Sequence, residues 1–225
     1  MAWQGVLFDL DGTLLDTSDL VIKSFQYTLA PHLGRTIDAE EVYPYFGAPL
    51  REGLAAFLPE KVEEMLPVYR RYSQEHFDNL VCLCPGVREG LEELRQAGIK
   101  LGIVTSRVRD TTLYGLQLFG LLDFFQAIVT MEDVENHKPG PEPVLRGAEL
   151  LGLPPAAVLM VGDSPNDIAA ARAAGVIAVA AGWSRVPCRR LLEAGPDFWV
   201  DSMEELVDLV LGSADIVGKA RARGC

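Results

Sequence analysis

The sequence predicts an α/β fold: a parallel sheet flanked by helices, with a small helical domain inserted after the first strand. Three observations predict it. Short apolar runs alternate with helical patterns, glycines stand just past the helical patterns, and one stretch of about 65 residues carries no strand pattern. Residues 5–10 (Gly-Val-Leu-Phe-Asp-Leu) form the first run and read as a buried strand ending at an acidic, glycine-containing turn. Residues 99–105, 127–130, 158–162 and 176–180 read the same way. Between them, residues 87–97 place Val87, Leu91 and Leu94 on one helical face and stop at Gly98. Residues 143–151 and 167–174 are helical patterns stopped by Gly152 and Gly175. The strand-free stretch holds helical patterns over 20–29, 50–58 and 62–77, with turns at Pro31, Gly34, Pro44, Gly47 and Pro59. The expected division is a core of residues 1–15 and 83–225 and a helical cap of residues 16–82, placed over the strand ends as a lid.

Composition narrows the function classes. Hydrophobic residues make up 49% and charged residues 23%, as in ordinary globular chains. The formal charge of −12 opposes a nucleic-acid or anionic-membrane partner, which needs clustered positive charge. No apolar run reaches the ~18 residues of a membrane span, and residues 1–4 lack a signal pattern. Cys82, Cys84, Cys188 and Cys225 are too sparse for a disulfide framework, and Cys82-x-Cys84 has the wrong spacing for a zinc or redox pair. A soluble, reduced, cytoplasmic protein, monomer or homodimer, is the expectation. The tail from Gly212, with Lys219, Arg221 and Arg223, reads as frayed and solvated.

Four strand-to-helix junctions carry chemistry. Asp9 and Asp11 leave the first strand on the same side, because side chains alternate along extended backbone. Two such carboxylates repel unless a cation lies between them or one is protonated. The pair suits a nucleophile and a proton donor beside a hard, oxygen-seeking metal; the competing use is turn capping. Thr105-Ser106-Arg107 precedes a helix near Val108, where hydroxyls and free N–H groups cradle anions but also serve as ordinary caps. Lys138 sits in a loop stiffened by Pro139, Pro141 and Pro143, and a fixed ammonium there can neutralise a transferring phosphoryl group; a surface lysine is the alternative. Asp163 and Asp167, four apart in Gly162-Asp-Ser-Pro-Asn-Asp167, can face one cavity: Asp163 as a metal ligand, Asp167 holding a metal-bound water or Lys138. Capping by Asp163 or Asn166 competes with that use. A parallel sheet brings all four junctions to one edge, which makes a single functional site the better account.

Phe8-Asp-Leu-Asp-Gly-Thr-Leu-Leu-Asp-Thr17, Val104-Thr-Ser106, Lys138-Pro139 and Gly162-Asp-Ser-Pro-Asn-Asp167 closely resemble the four motifs of the haloacid-dehalogenase-like hydrolase superfamily. The resemblance spans nearly the whole chain, including the cap, and implies a Rossmann-like core. It implies that Asp9 attacks phosphorus to form an aspartyl-phosphate and that Asp11 protonates the leaving group, then deprotonates water. By the same resemblance, Thr105 and the Ser106 backbone hold phosphoryl oxygens, Gly12 lies beside the substrate, and Lys138 pairs with nucleophile and phosphate. Mg2+ would be held by Asp9, the Asp11 carbonyl and Asp163, with Asp167 in support.

Within the superfamily, Asp11 disfavours the dehalogenases, which look different at that position. Glu142-Pro-Val144 and Gly182-Trp183 look like bacterial phosphoglycolate phosphatases and, more closely, their pyrophosphate-hydrolysing relatives; Gly140 departs from their usual polar residue after Lys-Pro. A small phosphorylated metabolite is the implied substrate, with a sugar-phosphate mutase or a silent phosphate-binding protein as alternatives. Tyr45-Phe-Gly-Ala-Pro-Leu-Arg51 resembles the cap loop facing the pocket, so Arg51 is a candidate for binding a second anionic group, with Arg107 its rival. His32, His76 and His137 lack metal-ligand spacing, although His137 could line the pocket; Trp3, Trp183, Tyr43, Tyr45 and Phe46 read as packing residues.

Overall fold

The computed structural model of the chain describes residues 3–212. β1 (Gly5–Phe8) leads through β2 (Leu15–Asp16) into α1 (Ser18–Leu33), α2 (Ala39–Val42), α3 (Leu50–Ala55) and α4 (Val62–Leu80). The chain returns through β3 (Cys82–Leu83) and α5 (Val87–Gln96) to β4 (Lys100–Val104) and α6 (Arg109–Leu118). β5 (Ala127–Val129), α7 (Glu142–Leu151), β6 (Val158–Gly162) and α8 (Pro165–Ala173) follow. β7 (Ile177–Ala181), α9 (Cys188–Glu193), β8 (Phe198–Val200) and α10 (Met203–Leu211) complete the described chain. Six strands form one parallel sheet in the order β5-β4-β1-β6-β7-β8, as the α/β alternation predicts.

Both sheet faces are dry. Val6 and Phe8 pack with Leu91 and Leu94 of α5 and Met203 and Val207 of α10. Leu7, pointing the other way, packs with Val144 and Ala148 of α7 and Ile168 of α8. Double coverage is why these strands read as unbroken apolar runs rather than alternating ones. Each fully buried Leu or Phe stabilises the sheet by ~1.5–3 kcal/mol relative to exposure.

The helical segment between β2 and β3 has its own apolar cluster of Phe25, Leu29, Val42, Leu54 and Met65. Phe25 meets Tyr69 edge-on at 5.3 Å, joining α1 to α4. The bases of those two helices belong elsewhere: Leu20 and Phe77 pack into the sheet-side cluster. Beside them, β2 and β3 pair antiparallel, Leu15 opposite Leu83 and Asp16 opposite Cys82.

Several elements differ from expectation. The β2–β3 pair was not predicted, since two-residue strands carry no periodicity. β8 (Phe198–Val200) was not predicted either. β1 stops at Phe8, so Asp9 and Leu10 lie beyond the strand. Neither Asp163 nor Asn166 caps α8; the Ser164 side chain does, in a capping box with Asp167. Cys82 and Cys84 are free thiols, exposed and buried respectively. Residues 213–225, and with them the expected frayed tail, lie outside the described residues. Among the described residues no helix is long and apolar enough to cross a membrane.

Candidate active site

Asp9 follows β1, Thr105 follows β4, Lys138 lies in the loop after β5, and Asp163 follows β6. Because these strands are neighbours and parallel, their carboxyl ends converge on one edge. Lys138, 6% exposed, is the hub. Its ammonium donates to Asp9 Oδ1 at 2.7 Å, Asp167 Oδ1 at 2.5 Å and the Val104 carbonyl at 3.1 Å, using all three protons. The loop that aims it is tied down locally. The Glu142 carboxylate accepts from the Glu135 and Asn136 N–H groups, each at 2.9 Å, and the Gly140 N–H donates to the His137 carbonyl at 2.8 Å. A Cβ at Gly140 would make a tight contact, 3.0 Å, with that carbonyl.

Asp9, Asp163 and Asp167 each offer a carboxylate oxygen within 4.8 Å of the others, all three residues being buried. Fully ionised, three carboxylates against one ammonium would leave two uncompensated negative charges in a buried cluster. Burial pushes Asp9 up to about 7; Lys138 opposes the rise, while Asp167 and Asp11 add to it. Burial also raises Asp163 well above the carboxylate range, with Asp9 and Asp167 contributing. Lys138 feels the reverse balance: burial pulls it down, but Asp167 and Asp9 more than offset this and hold it above the usual lysine value. A divalent cation would cancel the surplus charge, and an all-oxygen donor set suits a hard metal. The residues therefore fit a metal site.

Asp163 is fixed from two sides. The Ser184 hydroxyl donates to its Oδ2 at 2.6 Å, and a Cβ at Gly12, where φ is +77°, would lie 1.9 Å from that oxygen. The indole N–H of Trp183 donates to the Thr13 carbonyl at 3.0 Å, tying the loop after β7 to the loop after β1. Ser184 was not singled out from sequence, and no motif spacing would have found it. Trp183, expected as a packing residue, also holds backbone beside the site.

The Asp11 carboxylate lies outside the three-acid cluster. It pairs with Arg107 at 3.2 Å, and that guanidinium stacks over Phe77 of α4 at 5.0 Å. Tyr69, also on α4, is another residue that the sequence did not flag. Burial raises its hydroxyl pKa, with Asp11 adding to the shift and Arg107 opposing it. Thr105 Oγ1 accepts from the Arg107 N–H at 3.2 Å, and Ser106 is the residue between them. Arg51 is not part of this assembly: its exposed guanidinium bonds both Glu63 oxygens on the helical segment. The imidazole Nδ1 of His137 is buried without a hydrogen-bond partner.

The helical segment is seated directly on this edge. Gly47, at φ +73°, lies so close to Ser164 that a Cβ would stand 2.5 Å from the serine Cβ. The Asn166 amide donates to the Gly47 carbonyl at 3.2 Å, and Arg190 donates to the Tyr43 carbonyl at 3.1 Å.

Comparison with known proteins agrees with this architecture. The family model described as haloacid dehalogenase-like hydrolase matches residues 6–181. A protein of Caldanaerobacter subterraneus subsp. tengcongensis, provisionally named pyrophosphatase PpaX, is 47% identical over 207 residues, 92% of this chain and 94% of its own. Pyrophosphatase PpaX of Bacillus cereus is 42% identical over 206 residues, 91% of this chain and 95% of its own. A crystal structure from Bacteroides fragilis, described provisionally as a haloacid dehalogenase-like hydrolase, superposes with a TM-score of 0.84 at 26% identity, covering 91% of this chain and 99% of that one. Fold, site and relatives agree: the chain belongs to the haloacid dehalogenase-like hydrolases.

Proposed function

We propose that the chain is a cytoplasmic, Mg2+-dependent phosphatase that hydrolyses a small phosphorylated metabolite through an aspartyl-phosphate on Asp9, with pyrophosphate as the first candidate and phosphoglycolate as the second. The observation that carries this is the buried Lys138 ammonium bridging Asp9 and Asp167, with Asp163 completing the acidic cluster. The preference for pyrophosphate rests on the relatives named PpaX, which align over more than nine-tenths of both chains.

Mg2+, held by Asp9, Asp163 and the Asp11 carbonyl with Asp167 in support, would supply charge neutralisation on the phosphoryl oxygens. Asp9 attacks phosphorus, forming the acyl-phosphate bond as the bond to the leaving oxygen breaks. Asp11 gives a proton to that oxygen, then takes one from the water that hydrolyses the intermediate. Lys138 keeps Asp9 oriented and balances its charge during transfer. The Thr105 hydroxyl and Ser106 N–H hold phosphoryl oxygens, with Gly12 beside the substrate. Arg107, already against Asp11, is the better placed of the two arginines to receive a second anionic group; Arg51 is engaged by Glu63. Residues 16–82 act as the cap that closes over this pocket.

The test is phosphate release from pyrophosphate, phosphoglycolate and p-nitrophenyl phosphate with and without Mg2+. Mg2+-dependent release that disappears in Asp9→Asn is the expected result. Isomerisation of a phosphosugar without free phosphate would make the chain a mutase. No cleavage at high enzyme concentration would leave a phosphate-binding protein.

A further inference from the structure

We propose that Ser184 is a positioning residue for the metal site: its hydroxyl holds Oδ2 of Asp163 and so fixes the orientation in which that carboxylate would meet a cation. The proposal rests on assigning a metal to the acidic cluster, and it adds a residue outside the four motifs.

Two contacts fix the direction of the Ser184 proton, and two more hold its loop. Its Oγ accepts the Val186 N–H at 3.2 Å, so the one hydroxyl proton is free to point away from that amide. The acceptor it meets is Asp163 Oδ2, at 2.6 Å. The Ser184 N–H itself donates to the Ala181 carbonyl at the end of β7, which anchors the serine to the sheet. Trp183 fastens the same loop to the Thr13 carbonyl at 3.0 Å.

The opposite side of Asp163 is equally constrained. Its Oδ2 lies against Gly12, where an added Cβ would stand 1.9 Å from Oδ2 but 3.2 Å from Oδ1. One carboxylate oxygen is therefore enclosed by serine and backbone, and the carboxyl group cannot turn out of this plane without losing the Ser184 bond. Asp163 is 3% exposed, so water is poorly placed to replace that hydroxyl. A ligand fixed in one orientation loses less freedom when it binds an ion, and partners of this kind support affinity in metal sites.

Isothermal calorimetry with MgCl2 on wild type, Ser184→Ala and Ser184→Thr tests this, alongside thermal melts in EDTA to show that all three fold. Wild-type binding, a Kd weakened about tenfold or more in Ser184→Ala, and recovery towards wild type in Ser184→Thr are expected. In turnover assays the Ser184→Ala defect should shrink as Mg2+ is raised. Equal Kd values for wild type and Ser184→Ala, with intact folding, would overturn the positioning role while leaving the metal site standing. A wild type that binds no Mg2+ would remove the metal assignment and this proposal together. Should Ser184→Ala not fold, Ser184→Thr decides: a folded threonine variant without Mg2+ affinity overturns the proposal, and one with it supports it.

Discussion

The Lys138 ammonium lies 2.7 Å from the Asp9 carboxylate across 129 positions of sequence, and on its other side it meets Asp167 at 2.5 Å. One cation thus joins the loops after β1 and β5 to the start of α8. The contact is structural and electrostatic at once: it closes the sheet edge and sets the charge of the residue assigned as nucleophile.

Replacing Asp9 by Asn keeps the size of the side chain and a hydrogen-bond acceptor for Lys138 but removes the attacking oxygen charge. Turnover should fall at least about a thousandfold, a barrier increase of roughly 4 kcal/mol. Circular dichroism should be unchanged. Steady-state phosphate release checks this; wild-type rates in the variant would contradict the assigned nucleophile.

Lys138→Met leaves three buried carboxylates without their ammonium. Removing one partner of a buried ion pair costs about 3–5 kcal/mol. Urea unfolding without metal at pH 8 should show a loss of that order. At pH 5 the loss should be smaller, because the remaining acids can take up protons. A pH-independent loss would show that packing, not charge, dominates at this position.

The raised pKa of Asp9 predicts a metal-linked pH dependence. Its folded value is about 7 against an ordinary 3.8, so the folded, metal-free protein retains a proton that the unfolded chain releases between those values. This group therefore lowers metal-free stability as pH rises from about 4 to 7. Metal must displace that proton at low pH and none at high pH. The Tm increase on adding Mg2+ should be larger at pH 8 than at pH 5; an equal increase at both would contradict the linkage.

The two arginines should separate in kinetics. Arg107→Ala should raise KM for pyrophosphate or phosphoglycolate about tenfold or more, with a smaller effect on p-nitrophenyl phosphate, which lacks a second anionic group. Arg51→Ala, which removes an exposed pair with Glu63, should change KM less than twofold. Parallel KM measurements on both variants decide; the reverse order would move the second-anion site to the helical segment.

Much of this was legible in residue order. The glycine-terminated helical patterns and apolar runs specify most of the parallel sheet, because strands covered on both faces need continuous hydrophobicity. The motif carboxylates and Lys138 were legible because each lies between a strand and the helix that follows it, on the edge where the junctions of a parallel sheet converge. Other features were not. Two residues carry no period, so β2 and β3 could not be read, and β8 went unread as well. Ser184 looks like any loop serine until its hydroxyl is seen 2.6 Å from Asp163. Arg51 and Arg107 were rivals on paper, since an arginine's long side chain can reach in several directions.

By itself, then, the sequence determined the alternation of elements, the identity of the acidic and basic groups, and the loops that carry them, since hydrophobic period and turn chemistry are local properties. Only the tertiary structure decided which charges share a cavity. It set Lys138 between Asp9 and Asp167, gave Asp11 to Arg107, turned Arg51 outward to Glu63 and placed Ser184 on Asp163. Electrostatic and hydrogen-bond energies depend on distances between residues far apart in the chain, and those distances exist only once the sheet has closed.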